Sequence, residues 1–248
     1  MDEKSQDKDA SPTKQFLPTK NVIIKNDDIC NITNNRNPLT TTVYEKLISR
    51  FIDNVFIPGQ ILNRRQLADE MGVNIVPMSE AFIQLQLDGF IEIIPRKGTI
   101  VRSIRERDVY ERFVIREALE CTAARLYTGL PIRLNKDELL AYASQIDNKE
   151  INSLPRIKDD ITLHASIVNL AGIPSLTREF LRATRIGVFY MMNQVSFSKG
   201  IVVQNHIELI EKLTTDNPDE AEKIIREHIW SSKLATLKYY LVPDFNRE

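Results

Sequence analysis

The chain has 248 residues, 42% of them hydrophobic and 27% charged, a profile that supports one large soluble domain or two ordinary ones. A formal net charge of −1 excludes recognition by bulk charge, so composition by itself implies neither a nucleic acid nor an anionic membrane as partner. The N-terminus MDEKSQDKDA has no apolar h-region, no apolar run approaches a membrane span, and Cys30 and Cys121 form no redox or metal motif; a cytoplasmic protein with no membrane partner is expected.

Residues 1–38 are polar, and their six basic and six acidic residues cancel, so this stretch reads as a disordered tail rather than a basic arm. Val43, Leu47 and Phe51 then recur at helical spacing, with Tyr44 and Ile48 beside them, which predicts a helix over 39–54. Pro58-Gly59 makes a turn, a short helix is expected over 64–71, and Gly72 ends it. Asn74 is positioned to cap the next helix, which has Pro77 in its first turn and runs to about Asp88, where Gly89 closes it. Two strands at 90–94 and 99–103 flank the turn Pro95-Arg96-Lys97-Gly98. Three helices followed by a two-stranded wing define an α+β winged helix-turn-helix over 39–103, although the same order also fits a small packing module with no nucleic-acid role.

Beyond residue 104 the strand pattern ceases. Helical patterns occupy roughly 106–128, 136–148, 154–171, 175–197, 201–214 and 218–240, separated by Gly129-Leu130-Pro131, Gly172-Ile173-Pro174, Lys199-Gly200 and Asp216-Asn217-Pro218. The chain is therefore expected to be mostly α, with an all-α bundle of about six helices over 104–242 and a short tail at 243–248.

The sequence contains three histidines, His164, His206 and His228. Asp160 precedes His164 by four positions, so the two share a helix face, whereas Asp159 points away from it. His206 lies ten positions before Asp216 and His228 ten positions after Pro218, so an antiparallel hairpin about that break sets both at the same height. One carboxylate and three imidazoles meeting inside a bundle suit a divalent ion such as Zn²⁺, Ni²⁺, Fe²⁺ or Mn²⁺.

Pro58-Gly59, Leu62, Leu67-Ala68, Gly72-Val73, Pro77, Glu80-Ala81, Leu85, Gly89, Pro95, Gly98 and Val101 give the first domain a pattern that resembles the GntR family of regulators. Arg116-Glu117-Ala118-Leu119-Glu120 with Ala123-Ala124 opens a remainder that looks like the FCD domain of the family's FadR-type branch. The resemblance implies a homodimer that binds a palindromic double-stranded DNA operator under control of a small-molecule effector. Metal-binding FCD domains resemble the chain at Asp160, His164, His206 and His228. By the same resemblance Arg116 is a candidate to hold a carboxylate effector; the other reading is an ordinary ion pair. Ile173 stands where the family often has Asn.

On the DNA side, the family usually carries Ser-Arg before its recognition helix and a further Arg before Glu-Ala. Here those positions are Asn74-Ile75 and Ser79. Arg65 matches a family DNA-contacting position, and Arg64, Arg96 and Lys97 are candidates for backbone or minor-groove contacts. Ile75 and Val76 could touch thymine methyls. Seven basic and seven acidic residues make 39–102 formally neutral, which predicts weaker binding than in a typical relative. The leading function is a metal-dependent, effector-responsive transcription regulator. One alternative is a dimeric sensor that has lost DNA binding. Another is a metal-dependent hydrolase, for which Glu120 and Glu208 are available as bases but not marked by spacing.

Overall fold

A computed structural model describes residues 22–24, 38–103, 105–150, 153–193 and 205–236. The first module comprises α1 (Pro38–Ile52), β1 (Ile61–Leu62), α2 (Arg64–Glu70), α3 (Ile75–Asp88), β2 (Ile91–Ile94) and β3 (Gly98–Val101). Helix α1 buries Val43, Tyr44, Leu47, Ile48 and Phe51, the stripe its spacing dictates, against Leu67, Met78, Phe82 and Leu85 of α2 and α3. Asn63 starts α2, its Oδ1 accepting from the N–H groups of Arg65 and Gln66 at 3.0 and 3.2 Å. Asn74 holds the N-cap position of α3, but its side chain makes no capping bond, contrary to expectation. Gly89 ends α3 at φ 87°, a left-handed conformation that glycine adopts without a Cβ penalty.

The wing is a three-stranded antiparallel sheet in the order β1-β3-β2, rather than the two-stranded one expected. Ile61 pairs with Ile100 and Ile94 with Gly98. Two residues of strand are too few to show an alternating pattern, so β1 exists because β3 offers it an edge.

The second module contains α4 (Glu106–Tyr127), α5 (Leu130–Leu134), α6 (Lys136–Asp147), α7 (Leu154–Asn169), α8 (Pro174–Asn193), α9 (His206–Leu213) and α10 (Pro218–Thr236). The extra helix, α5, occupies the expected breaker Gly129-Leu130-Pro131. Pro131 stands in its first turn, where the missing N–H has no helical acceptor to lose. The predicted stretches 194–197, 201–204 and 237–242, and most of the tail at 1–38, lie outside the described residues. Within that tail Val22 and Ile24 are buried in the core of the bundle, and the Ile24 N–H donates to Ser166 Oγ at 3.0 Å. This short apolar triplet is packed, a correction to its reading as disordered tail.

Helix α8 joins the modules. Its Ile186 and Phe189 sit in the core of the winged module, with the Phe189 ring 5.3 Å from that of Phe51 and perpendicular to it. Around this plug Arg185 Nη2 lies 3.0 Å from both oxygens of Glu45, Arg182 Nε 2.5 Å from Asp88 and Lys158 2.7 Å from Asp53.

Candidate metal centre and nucleic-acid interface

Three helices bring the three histidines to one place. Asp160 and His164 lie one turn apart on α7, His206 is the first residue of α9, and His228 is on α10. The Asn205 side chain caps α9 by accepting from the Glu208 N–H at 2.9 Å, and so fixes where His206 leaves the chain. One nitrogen from each imidazole lies within 4.8 Å of the other two. Asp160 Oδ1 is 2.8 Å from His206 Nε2 and 3.9 Å from His164 Nε2. The four residues read from sequence as a ligand set are thus neighbours, while Asp159 turns away to accept from Tyr142 and pair with Lys149.

Two carboxylates orient the rings from behind. His164 Nδ1 donates to Glu120 Oε2 at 2.5 Å, and Glu120 is itself held by Arg116 Nε at 2.5 Å. His206 Nδ1 donates to Asp147 Oδ1 at 2.7 Å, while the other oxygen of Asp147 accepts from the backbone N–H groups of His206 and Ile207. Fixing the proton on Nδ1 turns each Nε2 lone pair inward, the arrangement that metal-ligating histidines use. His164 Nε2 is fully buried and has no hydrogen-bond partner among the described residues, an orphan that a cation would satisfy. The donor set therefore fits a divalent ion, for which Asp160, His164, His206 and His228 would be the ligands.

Electrostatics follow from this crowding. Burial pushes the Asp160 carboxyl up, but hydrogen bonding from His206 and the nearby His164 and Arg116 outweigh it and hold the group well below the usual carboxylate range. Burial likewise opposes the Arg116 and His164 contacts at Glu120, and the contacts prevail, lowering it to about 2. Burial lowers His206 and the two carboxylates facing it raise it, with a net upward shift. His228, desolvated and beside two other imidazoles, is held well below its usual value, so it stays neutral and able to ligate.

Neither Glu120 nor Asp147 was identified from sequence as an orienting residue. The Arg116–Glu120 spacing of four was legible, but the partner of Glu120 is on another helix and Asp147 precedes His206 by 59 positions. Glu120 is also spoken for by His164 and Arg116, and Glu208 pairs with Lys212 at 2.6 Å, so neither is placed as a general base.

Beside the centre a small pocket, partly open to solvent, lies between α4, α7 and α8. Arg112, Arg116 and Asp160 give it polar walls; Phe113, Ile161 and Ala183 give it apolar ones. Arg116 makes the ion pair that was one of its two sequence readings, through its Nε to Glu120, while its buried Nη2 has no hydrogen-bond partner among the described residues. Ile173 is exposed ahead of α8 and does not line the pocket.

On the opposite module Arg64, Arg65, Asn74, Ile75, Val76, Arg96 and Lys97 are exposed and Ser79 is half-buried. Arg96 sits at the tip of the wing with φ 67°. The Arg64 guanidinium stacks 5.9 Å from the Phe82 ring. The neutrality of this module in sequence is altered by the fold. Glu45, Asp53 and Asp88 are neutralised by Arg185, Lys158 and Arg182 of the helical module, whereas Arg102 is the basic residue that pairs the other way, with Asp108. The balance at the surface that remains is shifted toward positive charge.

The architecture is a winged helix with an exposed α3 and a basic wing tip, packed through α8 against a helical bundle with a buried polar centre. The family models agree in both halves: residues 39–101 match the bacterial regulatory proteins of the gntR family, and residues 111–230 match the FCD domain. The chain belongs to the GntR regulators that carry an FCD domain, and is a transcription regulator rather than an enzyme. It is 24% identical over 198 residues to the HTH-type transcriptional repressor RspR of Escherichia coli, covering 77% of this chain and 86% of that one. It is 26% identical over 185 residues to the Nta operon transcriptional regulator of Aminobacter aminovorans, covering 70% and 83%. Among solved structures, E. coli McbR/YncC shares the fold with a TM-score of 0.62 and 21% identity, over 82% of this chain and 98% of that one. Among the described residues no helix is long and apolar enough to cross a membrane.

Proposed function

We propose that this regulator works in the cytoplasm as a homodimer on a palindromic operator, and that a small carboxylate effector, bound beside a divalent ion, controls its grip on DNA. The observation that carries the reading is the convergence of three imidazoles, those of His164 and His206 fully buried, beside Asp160, which lines a pocket together with Arg116. An ion held there supplies a Lewis-acidic position for an effector oxygen. Arg116 meets the effector's charge through the guanidinium nitrogen that Glu120 leaves over. Helix α8 supports the control step: Ala183, Thr184 and Gly187 line the pocket, while Ile186 and Phe189 of the same helix sit in the core of the winged module. Arg65, Arg96 and Lys97 hold phosphate or read guanine, with Arg64 beside them, and Asn74, Ile75, Val76 and Ser79 face the groove, where Ile75 and Val76 favour thymine methyls.

Metal analysis of purified protein, paired with selection of bound sequences from a random DNA pool, tests the reading. About one divalent ion per chain, lost in a His206→Ala/His228→Ala variant, and enrichment of a palindrome are expected. Protein that holds no stoichiometric metal under any loading condition would overturn the sensor half. Selection that enriches no palindrome would overturn the operator half.

A further inference from the structure

Arg112 lies one turn before Arg116 on α4 and lines the same pocket. Unlike Arg116 it has no carboxylate within ion-pair distance among the described residues. The charges around the pocket can be set against one another. Glu120 offsets Arg116, and Asp147 lies 3.5 Å from the Arg156 guanidinium. A divalent ion bound by Asp160 and neutral imidazoles keeps one uncompensated positive charge, and Arg112 adds a second. Two positive charges facing a half-enclosed pocket stabilise a dianion far better than a monoanion. Val109, Phe113, Ile157, Ile161 and Ala183 give the lining an apolar stretch that suits a short hydrocarbon linker between two acid groups, and the Thr184 hydroxyl is already donated to the Phe180 and Leu181 carbonyls.

Arg112 also faces the DNA-binding module. A Cβ built on Gly89 would lie 4.0 Å from Arg112 Nη2, so the guanidinium rests against the turn between α3 and β2. We propose that the effector is a short aliphatic diacid, one carboxylate directed to the Arg116 side of the centre and the other to Arg112, and that Arg112 thereby couples the occupied pocket to the end of the recognition helix. This deepens, and rests on, the reading of the pocket as an effector site.

Calorimetric titration of full-length, zinc-loaded protein with malonate, succinate and glutarate, against acetate, propionate and butyrate, tests it. At least one diacid is expected to bind about 10-fold or more tighter than any monoacid, the effect of one added charge-assisted contact. Arg112→Gln should remove that preference while leaving monoacid binding within about twofold, and Arg112→Lys should keep part of it. Monoacids binding as tightly as diacids, or Arg112→Gln weakening both classes equally, would overturn the diacid proposal and leave the effector site standing. If none of the six acids binds while zinc remains in place, the carboxylate effector site itself fails, and the diacid proposal with it.

Discussion

Asp147 shows how a single side chain does several jobs at once. One oxygen fixes the His206 ring and the other ties down the backbone at the start of α9. Asp147→Asn replaces a charged acceptor by an amide of the same shape, so the fold is retained while the ring loses its anchor. Removing such an orienting partner typically costs 10–100-fold in metal affinity. Competition against a chelator of known affinity should show a loss in that range, and an unchanged affinity would mean that Asp147 serves only α9. Glu120 makes a prediction in pH. Its folded value near 2, against 4.5 ordinarily, means that it contributes stability in full above about pH 4.5 and loses it as pH falls toward 2. Urea denaturation of metal-free protein over that window should show a shallower acid decline for Glu120→Gln than for the parent. His206 works in the opposite sense: its raised value favours the folded metal-free state at low pH, and that contribution fades as pH rises through it.

At the level of elements, α8 and α3 carry the argument. Phe189 leaves α8 and is fully buried among Phe51, Phe56 and Phe90 of the other module. Phe189→Ala removes a buried aromatic and leaves a cavity, at a cost of about 3–5 kcal/mol. Guanidinium titration should register that loss, and a change of under about 1 kcal/mol would show that the modules do not depend on this plug. Helix α3 is unusual in what it exposes: Ile75, Val76, Ile83 and Leu87 are all more than 40% accessible, where arginines would serve phosphate binding. Ile75→Arg with Ser79→Arg should raise general DNA affinity and steepen its salt dependence, by a slope of about one or two in log–log form. A gel-shift series across salt concentrations that shows no change of slope would remove these positions from the DNA interface.

For the whole molecule, assembly is the open property that the surface addresses. The long helix α4 packs one side into the bundle and exposes Val114, Ile115, Ala118, Thr122 and Leu126 on the other. These positions follow helical periodicity, as a buried stripe does, and a second copy of the chain would cover them. Ile115→Asp places a charge in the middle of that stripe. Sedimentation at micromolar concentration should give a dimer for the parent and a smaller species for the variant. A parent that sediments as a monomer would count against the homodimer, and a variant that stays dimeric would move the interface elsewhere. In the DNA-bound dimer the two recognition helices are expected about one turn of the double helix apart, roughly 34–36 Å.

Local rules set most of the secondary structure. Val43, Leu47 and Phe51 fixed the face of α1, Gly72 and Gly89 ended α2 and α3, and Pro95 to Gly98 marked the wing, because each acts through neighbours a few positions away. The Asp160–His164 pair was legible for the same reason, and the equal spacing of His206 and His228 about Asp216–Pro218 anticipated their proximity. The tertiary structure decided the rest. Strand β1 needed the edge of β3, the Val22–Ile24 segment needed the bundle surface, and Glu120 and Asp147 found their histidines across helices that no sequence period connects. Charge was the sharpest divide. By sequence the winged module is neutral, but charges pair by distance in space, and the helical module takes up three of its carboxylates, leaving a more basic surface than composition allowed.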